Sequence, residues 1–358
     1  MAETPRDWFS APATAGNWMA SEGRDHEIVV TSRVRLARNV AGFPFRARLD
    51  PKRAKEVEAH LAEHLNSLPL AGDQCYLRVG DLDPLDTELL FERHLISKDL
   101  ARELEGPRGV FFSRSRNVSV MVNEEDHLRL QALSPGCNLE ALLEQLRDVD
   151  HLVGERVSYA YHSRFGYLTS CPTNVGTGLR LSVMLHLPAL VHSKEIDKVF
   201  DAASKMKLAV RGFYGEGTSY LGDFFQVSNQ VTLGRSVDKL LADIHRVLPK
   251  LVDYERDMRR TIAEEAGKGL EDRIWRAFGI LSHARRLTSQ EALDLLSHVR
   301  LGVCVGLLPR PALKTVNELL VLSQPAHVQL LAGRVLTDDE RDVARATYIR
   351  QRLEAPPS

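Results

Sequence analysis

The sequence is short of cysteine, of net charge and of long apolar runs, and each shortage removes a class of answer. Four cysteines, Cys75, Cys137, Cys171 and Cys304, are scattered over 358 residues with no C-x-x-C pair. Neither a disulfide framework nor a structural zinc site fits that spacing. Lys and Arg number 47 against 48 Asp and Glu, so bulk electrostatics argue against a nucleic-acid partner while permitting a local basic pocket. No segment reaches membrane-spanning length, and the first ten residues lack the apolar core of a signal peptide. The expectation is a cytoplasmic protein with no membrane partner. Common nucleotide-fold signatures are missing too: there is no G-x-x-x-x-G-K-[ST], no Rossmann fingerprint and no protein-kinase set. What remains is a chain 44% hydrophobic, long enough for a sizeable core and for two domains.

One metal motif is present in letter only. His60-Leu61-Ala62-Glu63-His64 spells H-x-x-E-H, but it lies in an amphipathic stretch, residues 51–68, otherwise rich in Lys, Arg and Glu. With no third ligand in a supporting context, a solvent-facing helix accounts for it.

The chain is organised around Cys171-Pro172-Thr173-Asn174-Val175-Gly176-Thr177-Gly178-Leu179-Arg180. Its Pro, two Gly and small hydroxyl residues suit a tight loop whose amides face a ligand. A helix is predicted to begin near Thr177 and to carry Arg180 in its first turn, where a helix N-terminus and a guanidinium grip phosphate together. The bland alternatives are an ordinary turn and a small buried thiol. Upstream, residues 1–26 read as an irregular arm with Trp8, Phe9 and Trp18 as anchors. Residues 28–36 alternate as a strand that puts Arg33 and Arg35 on one face, which is either a solvated face or an anion clamp. A strand over residues 117–122 runs into Asn123-Glu124-Glu125-Asp126-His127-Leu128-Arg129. That segment is either a polar turn or a set of carboxylates that orients a cation or serves as general base, with Arg129 as a further phosphate donor.

A helix near residues 138–149, strand-like pieces at 157–161 and 165–169, a helix near 193–206 and strands at 207–212 and 224–233 follow. They make a mostly antiparallel sheet flanked by helices. The glycines of Arg211-Gly212-Phe213-Tyr214-Gly215-Glu216-Gly217 mark a loop carrying one Arg and one Glu. From Ser236 the pattern is helix after helix, with a boundary at Gly267-Lys268-Gly269 and capping boxes at Thr288 with Glu291, Thr315 with Glu318 and Thr337 with Glu340. The fold class is therefore α+β: a sheet-and-helix domain over residues 1–266 and an all-helical domain over 267–358. In the last helix Arg341 and Arg345 share a face, and Asp342 is spaced to pair with Arg345; a solvated helix face explains this without a ligand.

Five strand-end or loop arginines (Arg33, Arg35, Arg129, Arg180, Arg211), two loop glutamates (Glu125, Glu216) and one loop cysteine suit transfer of a phosphoryl group to a cationic nitrogen nucleophile. Such a reaction needs phosphate charge neutralised, reactants in line and a carboxylate to relieve the guanidinium of a proton.

The segments 31–35, 123–129, 171–180 and 211–216 resemble, in order, the signature blocks of the guanidino (phosphagen) kinases, over about Ile28 to Gly234. Within that family the chain is more similar to the bacterial protein-arginine kinases of the McsB type, because it lacks the separate helical N-terminal domain of kinases acting on free guanidino compounds. The resemblance implies an ATP site at Thr31, Ser32, Arg33, Val34, Arg35, His94, Arg129, Arg180, Leu181, Ser182, Val183, Met184, Arg211, Gly212, Phe213, Tyr214, Gly215 and Glu216. It makes Glu125 and Glu216 the carboxylates that orient and deprotonate the guanidinium, with Glu124 in support. Cys171 becomes a thiolate beside the substrate nitrogen, acting electrostatically. Arg341, Asp342, Arg345 and Ala346 match an R-D-x-x-R-A motif, which implies an allosteric phosphoarginine pocket. ATP with magnesium held mainly by the nucleotide, protein substrates with accessible arginine, an activator protein, a Clp-type protease, stress response and a homodimer complete what the resemblance implies. Two competing readings are a kinase of free arginine or another small guanidino compound, and a weakly active phosphoarginine-binding adaptor.

Overall fold

The period-two pattern beginning at Ile28 becomes the central strand of the sheet. In this computed structural model, residues 17–70, 74–102, 106–113, 117–212, 221–265 and 267–354 are described. Strand β1 (Val29–Arg38) is hydrogen-bonded on one side to β5 (Leu128–Pro135) and on the other to β8 (Leu179–His186). Outward from β5 lie β4 (Val118–Val122), β3 (Gly109–Ser113) and β2 (Gln74–Arg78), and outward from β8 lie β10 (Phe224–Asn229) and β9 (Leu208–Gly212). All seven pairings in this eight-stranded sheet are antiparallel. A separate hairpin of two-residue strands, β6 (Tyr161–His162) and β7 (Gly166–Tyr167), is all that forms where longer strands were expected at 157–161 and 165–169.

One face of the sheet is apolar. Val34, Leu36, Leu130, Ala132, Leu181, Val183, Leu185, Phe225 and Val227 are buried there against α1 (Pro51–Asn66), α3 (Leu139–Gly154), α4 (Ile196–Lys205) and α5 (Val237–Glu265). Helix α1 starts where Asp50 accepts the Arg53 amide at 2.9 Å and Pro51 occupies the first turn, the usual entry chemistry. It presents Val57, Leu61 and Leu65 to the core while His60 and His64 stay half-exposed. Among the described residues no group of three or more His, Cys, Asp or Glu could hold a metal ion, and no helix is long and apolar enough to cross a membrane. Helix α2 (Pro84–Glu92) lies between β2 and β3 in sequence and ends just before His94.

The opposite face is polar at its centre and is closed at one end by the C-terminal helices α6 (Gly267–His283), α7 (Ser289–Cys304), α8 (Leu313–Leu322), α9 (Pro325–Ala332) and α10 (Asp338–Glu354). Helices α6, α7, α8 and α10 share a core with Trp18, Met19, Val30, Leu133, Met184 and Phe224, while Leu330 of α9 packs against a separate cluster with Leu90, Val110 and Phe112. The helix junction falls where α5 ends at Glu265 and α6 begins at Gly267.

Three local expectations are overturned. The helix predicted from Thr177 is strand β8: Leu179, Leu181, Val183 and Leu185 alternate with Arg180, Ser182, Met184 and His186, and partners on both edges satisfy its backbone. The strand predicted over 224–233 ends at Asn229. Thr315 does not cap a helix, because α8 already begins at Leu313 after Ala312. Thr288 and Thr337 do cap: Thr288 Oγ1 accepts the Glu291 amide at 3.2 Å, and the Glu340 carboxylate returns to the Thr337 amide at 2.8 Å. Trp18 is 5% exposed, whereas Trp8 and Phe9 lie outside the described residues.

Candidate active site

Side chains directly opposite one another on antiparallel strands share a face, so register decides which arginines meet. Arg35 of β1 lies across from Gln131 of β5 and Arg180 of β8, Arg33 from Leu133 and Ser182, and Arg129 from Ala37. Gln226 and Ser228 of β10 extend the same face, and Arg211 of β9 pairs with Gln226. Arg33, Arg35, Arg129, Arg180 and Arg211 therefore project from one side of the sheet, from four of its strands. The positions Ser32, Val34, Leu181 and Val183 fall on the other side by the same alternation, with Val34, Leu181 and Val183 in the apolar core. A ligand on the arginine face would meet the backbone of those four residues and not their side chains.

The arginine cluster is electrostatically strained as built. Burial, together with the charges of Arg129 and Arg180, pushes the Arg33 guanidinium down to about 9. Burial and the charges of Arg33, Arg129 and Arg180 also lower Arg35, and its Nε is buried with no hydrogen-bond partner among the described residues. An orphaned buried donor amid like charges calls for an anion. Polar neighbours hold the other arginines: Arg33 Nη2 donates to Gln226 Oε1 at 2.5 Å and Arg180 Nη2 to Ser228 Oγ at 3.1 Å. The buried carboxylate of Glu124 pairs with Arg129 and accepts from Ser97 Oγ at 2.5 Å and the Glu125 amide at 2.8 Å. Burial opposes its ionisation, but Arg129 and these donors outweigh it and hold the carboxyl below the usual range.

Glu125, next in the β4–β5 turn, is exposed. Partial desolvation raises its pKa; Arg129 opposes the rise, while Asp126 and Glu124 add to it. Across from it stands the Cys171 loop, whose Asn174 Nδ2 donates to Glu125 Oε2 at 3.5 Å and whose Cys171 Sγ lies 3.0 Å from Thr173 Oγ1. Asp126 ties the two segments together, accepting from Asn39 Nδ2 at 2.7 Å and from the Ser170 amide at 2.6 Å. Arg38 holds the loop's far end: it pairs with Asp150 at 2.7 Å, donates to Thr177 O at 3.0 Å and stacks on Tyr167 with its carbon 3.6 Å from the ring centre. Gly178 turns the chain into β8 at φ +63°, where a Cβ would come within 2.6 Å of Ala37 O.

His94 follows α2 at φ +57°. Its ring meets Trp18 edge-on at 4.9 Å, and its carbonyl accepts from Gln131 Nε2 at 2.5 Å. Burial and Arg33 push its pKa down to about 3, so the ring is neutral. With Trp18, Thr31, Arg33, Ser182, Met184 and Gln226 it lines a narrow, largely apolar cavity at the edge of the arginine cluster. Gln226, Asn39 and Ser97 had no role in the sequence reading, because their work is to hold other residues; Trp18 was expected only as an anchor of the arm and Asp126 only as one of the clustered carboxylates. Phe213, Tyr214, Gly215 and Glu216 lie outside the described residues, and Gly212 ends β9.

The four C-terminal motif residues divide. Arg345, 1% exposed, donates from Nε to Ser323 O and from Nη1 to Leu287 O and Asp342 Oδ1, each at 2.7 Å. It is a staple between helix ends, and Ala346 is fully buried beneath it. Arg341, paired with Asp338, and Asp342 keep partial exposure. Of the four, Arg341 and Asp342 offer accessible side chains, whereas Arg345 and Ala346 are buried.

Residues 56–258 match the family model described as ATP:guanido phosphotransferase, C-terminal catalytic domain, and residues 267–358 match the protein-arginine kinase McsB C-terminal domain. The chain belongs to the ATP:guanido phosphotransferase family. It is 43% identical over 339 residues to a protein-arginine kinase of Geobacillus stearothermophilus, covering 94% of this chain and 93% of that one. It is 41% identical over 339 residues to the protein-arginine kinase of Bacillus subtilis, with the same coverage. Among solved structures, the duplicated taurocyamine kinase from Schistosoma mansoni with bound transition state analog components matches at TM-score 0.59 and 27% identity, over 68% of this chain and 36% of that one. Lombricine kinase matches at TM-score 0.57 and 26% identity, over 71% of this chain and 73% of that one. The chain is thus a phosphotransferase of the guanidino kinase fold, and its relatives at full length are protein-arginine kinases.

Proposed function

We propose that this enzyme transfers the γ-phosphoryl group of Mg-ATP to the guanidinium of arginine residues in proteins. The observation that carries the reading is the face on which Arg33, Arg35, Arg129 and Arg180 converge, with the buried carboxylate of Glu124 paired to Arg129. Such a surface accepts a polyanion. The neutral His94 and the apolar cavity that it lines with Trp18, Thr31, Ser182 and Met184 suit a nucleobase, while Arg211 joins the other arginines toward the phosphates. Magnesium contributes charge neutralisation; Glu124 is engaged by Arg129 and Ser97, which favours an ion held by the nucleotide.

The target guanidinium enters between Glu125 and the Cys171 loop. Its nitrogen attacks the γ-phosphorus, the bond to the β-phosphate oxygen breaks and ADP leaves with that electron pair. The proton shed by the nitrogen passes to a carboxylate, Glu125 or Glu216. A carboxyl raised above its usual pKa is the better acceptor, and Cys171 stands beside the nitrogen to favour its positive charge.

Marking of proteins for a Clp-type protease, with an activator protein, in a stress response and from a homodimer, belongs to the same proposal and is supported by the match of the C-terminal helices to the McsB domain. The competing kinase of free arginine draws on the likeness to taurocyamine and lombricine kinases at lower identity.

Incubation with labelled Mg-ATP and either free arginine or an unfolded, arginine-containing protein separates these readings, because a phosphoramidate is acid-labile. Acid-labile label on protein, lost in Glu125→Gln, is the expected result. Label on free arginine alone overturns the protein-kinase reading, and label on neither leaves an adaptor that binds phosphoarginine.

A further inference from the structure

The cavity that holds His94 is joined to the C-terminal helices by a buried clasp with no part in the transfer chemistry. Glu92 and Arg93, 4% and 8% exposed, end α2 directly before His94. The Glu92 carboxylate accepts the amides of Ala326 at 2.8 Å and His327 at 3.0 Å. These are first-turn donors of α9, which no residue of that helix can satisfy. Helix α9 is therefore capped from another part of the chain, 235 positions away in the case of His327.

His327 closes the clasp. Its ring, 1% exposed, bonds Glu92 Oε2 through Nδ1 at 2.7 Å and receives Arg93 Nε at Nε2, 3.1 Å away. A carboxylate only accepts and Arg Nε only donates, so one protonation state serves both bonds: neutral imidazole with its proton on Nδ1. Burial lowers the ring's pKa against the pull of Glu92, in keeping with that state.

What the clasp steadies is a strained residue. His94 holds φ +57°, a conformation that a non-glycine residue keeps only where its surroundings impose it. Gln131 fixes its carbonyl and Trp18 its ring; the two residues before it are fixed by Ala326 and His327. On the far side, Arg345 grips Ser323 O just ahead of α9 and pairs with Asp342. Buried polar contacts thus hold the chain on both sides of Gln324 and Pro325: Arg345 at Ser323, and Glu92 at Ala326 and His327.

We propose that Glu92 and His327 are positioning residues for the nucleotide, so that the C-terminal helices form part of the ATP site and bear on it through α9. This inference rests on the reading of the His94 cavity as the nucleobase site.

The test titrates Mg-ADP into the full-length protein by calorimetry and measures steady-state kinetics for His327→Ala, His327→Asn and Glu92→Gln. Asn retains an N–H close to the Nδ1 position, so it should restore the contact to Glu92. His327→Ala and Glu92→Gln should weaken Mg-ADP binding and raise the KM for ATP roughly tenfold, the loss expected for a charge-assisted hydrogen bond. kcat at saturating ATP and the KM for the phosphoryl acceptor should stay within about twofold, a split that general destabilisation would not produce. His327→Asn should recover most of the affinity. Variants that melt cooperatively and bind Mg-ADP like the wild type overturn the proposal, and so does a parallel loss of kcat and both KM values without recovery in Asn. Should His327→Ala not fold, the Asn and Gln variants decide alone. A wild type that binds no Mg-ADP would instead overturn the nucleotide reading of the cavity.

Discussion

Partial desolvation, together with the Asp126 and Glu124 charges, raises the Glu125 carboxyl above its ordinary value, while Arg129 moderates the rise. A base must be ionised to take a proton, so a raised pKa moves the acidic limb of the rate profile to higher pH than an unperturbed Glu near ~4.3 would give. kcat/KM for the acceptor should therefore fall as pH drops through that raised value. Glu125→Gln should lose that limb and lower kcat by about 10²-fold or more. A pH-rate profile of both proteins checks this, and an identical limb in Glu125→Gln would assign it to another group. The arginines show why such residues were visible in sequence while their condition was not. Alternation placed Arg33 and Arg35 on one face. Only the register of β5 and β8 shows that Arg129 and Arg180 join them, leaving Arg33 near 9 and Arg35 Nε unpaired. Stability is spent there on a site that an anion completes.

At the scale of the element, strand β8 was misread for a physical reason. The loop before it ends in Gly-Thr-Gly, which also opens helices, and the apolar content of residues 181–187 drew attention from their period of two. Periodicity distinguishes the two outcomes: as a helix, Arg180 would stand alone at a terminus, whereas as a strand it faces Arg35. The acidic turn and the Thr288 and Thr337 boxes were legible because each is local. The Arg345 staple was not, since its acceptors at Leu287 and Ser323 come from other helices. Entry into β8 depends on Gly178, whose φ of +63° and contacts at 2.6 Å to Ala37 O and Arg38 Nη1 leave no room for a Cβ. Gly178→Ala should cost about 1–3 kcal/mol in urea unfolding and should lower kcat as well, because the strained loop carries Cys171. A variant that keeps wild-type stability and turnover would show that the loop tolerates displacement.

At the scale of the whole molecule, the sequence boundary at Gly267 coincides with a helix junction but not with a division of the core. Trp18, Met19, Val30, Leu133, Met184 and Phe224 come from before it, yet they are buried with Leu281, Leu296, Leu320 and Ile349 from after it. Composition along the chain could not reveal this, since helical periodicity reports that a face is buried and not which element covers it. Polar contacts cross in the same place. Arg300 of α7, with no exposed surface, donates to His26 O at 2.9 Å and Glu27 O at 2.8 Å and lies 2.9 Å from His186 Nδ1. Removal of residues 267–358 would uncover six large apolar side chains, worth about 1.5–3 kcal/mol each when fully exposed, and would orphan those carbonyls. Even half of that sum is comparable with the whole stability of a domain, about 5–15 kcal/mol. The fragment comprising residues 1–266 should therefore aggregate or bind a hydrophobic dye without a cooperative melt, while the intact chain unfolds in one calorimetric transition. A soluble fragment that melts cooperatively and binds Mg-ADP would show instead that the sheet and its arginine face stand without the C-terminal helices, and the clasp at His327 would then be dispensable for the nucleotide site as well.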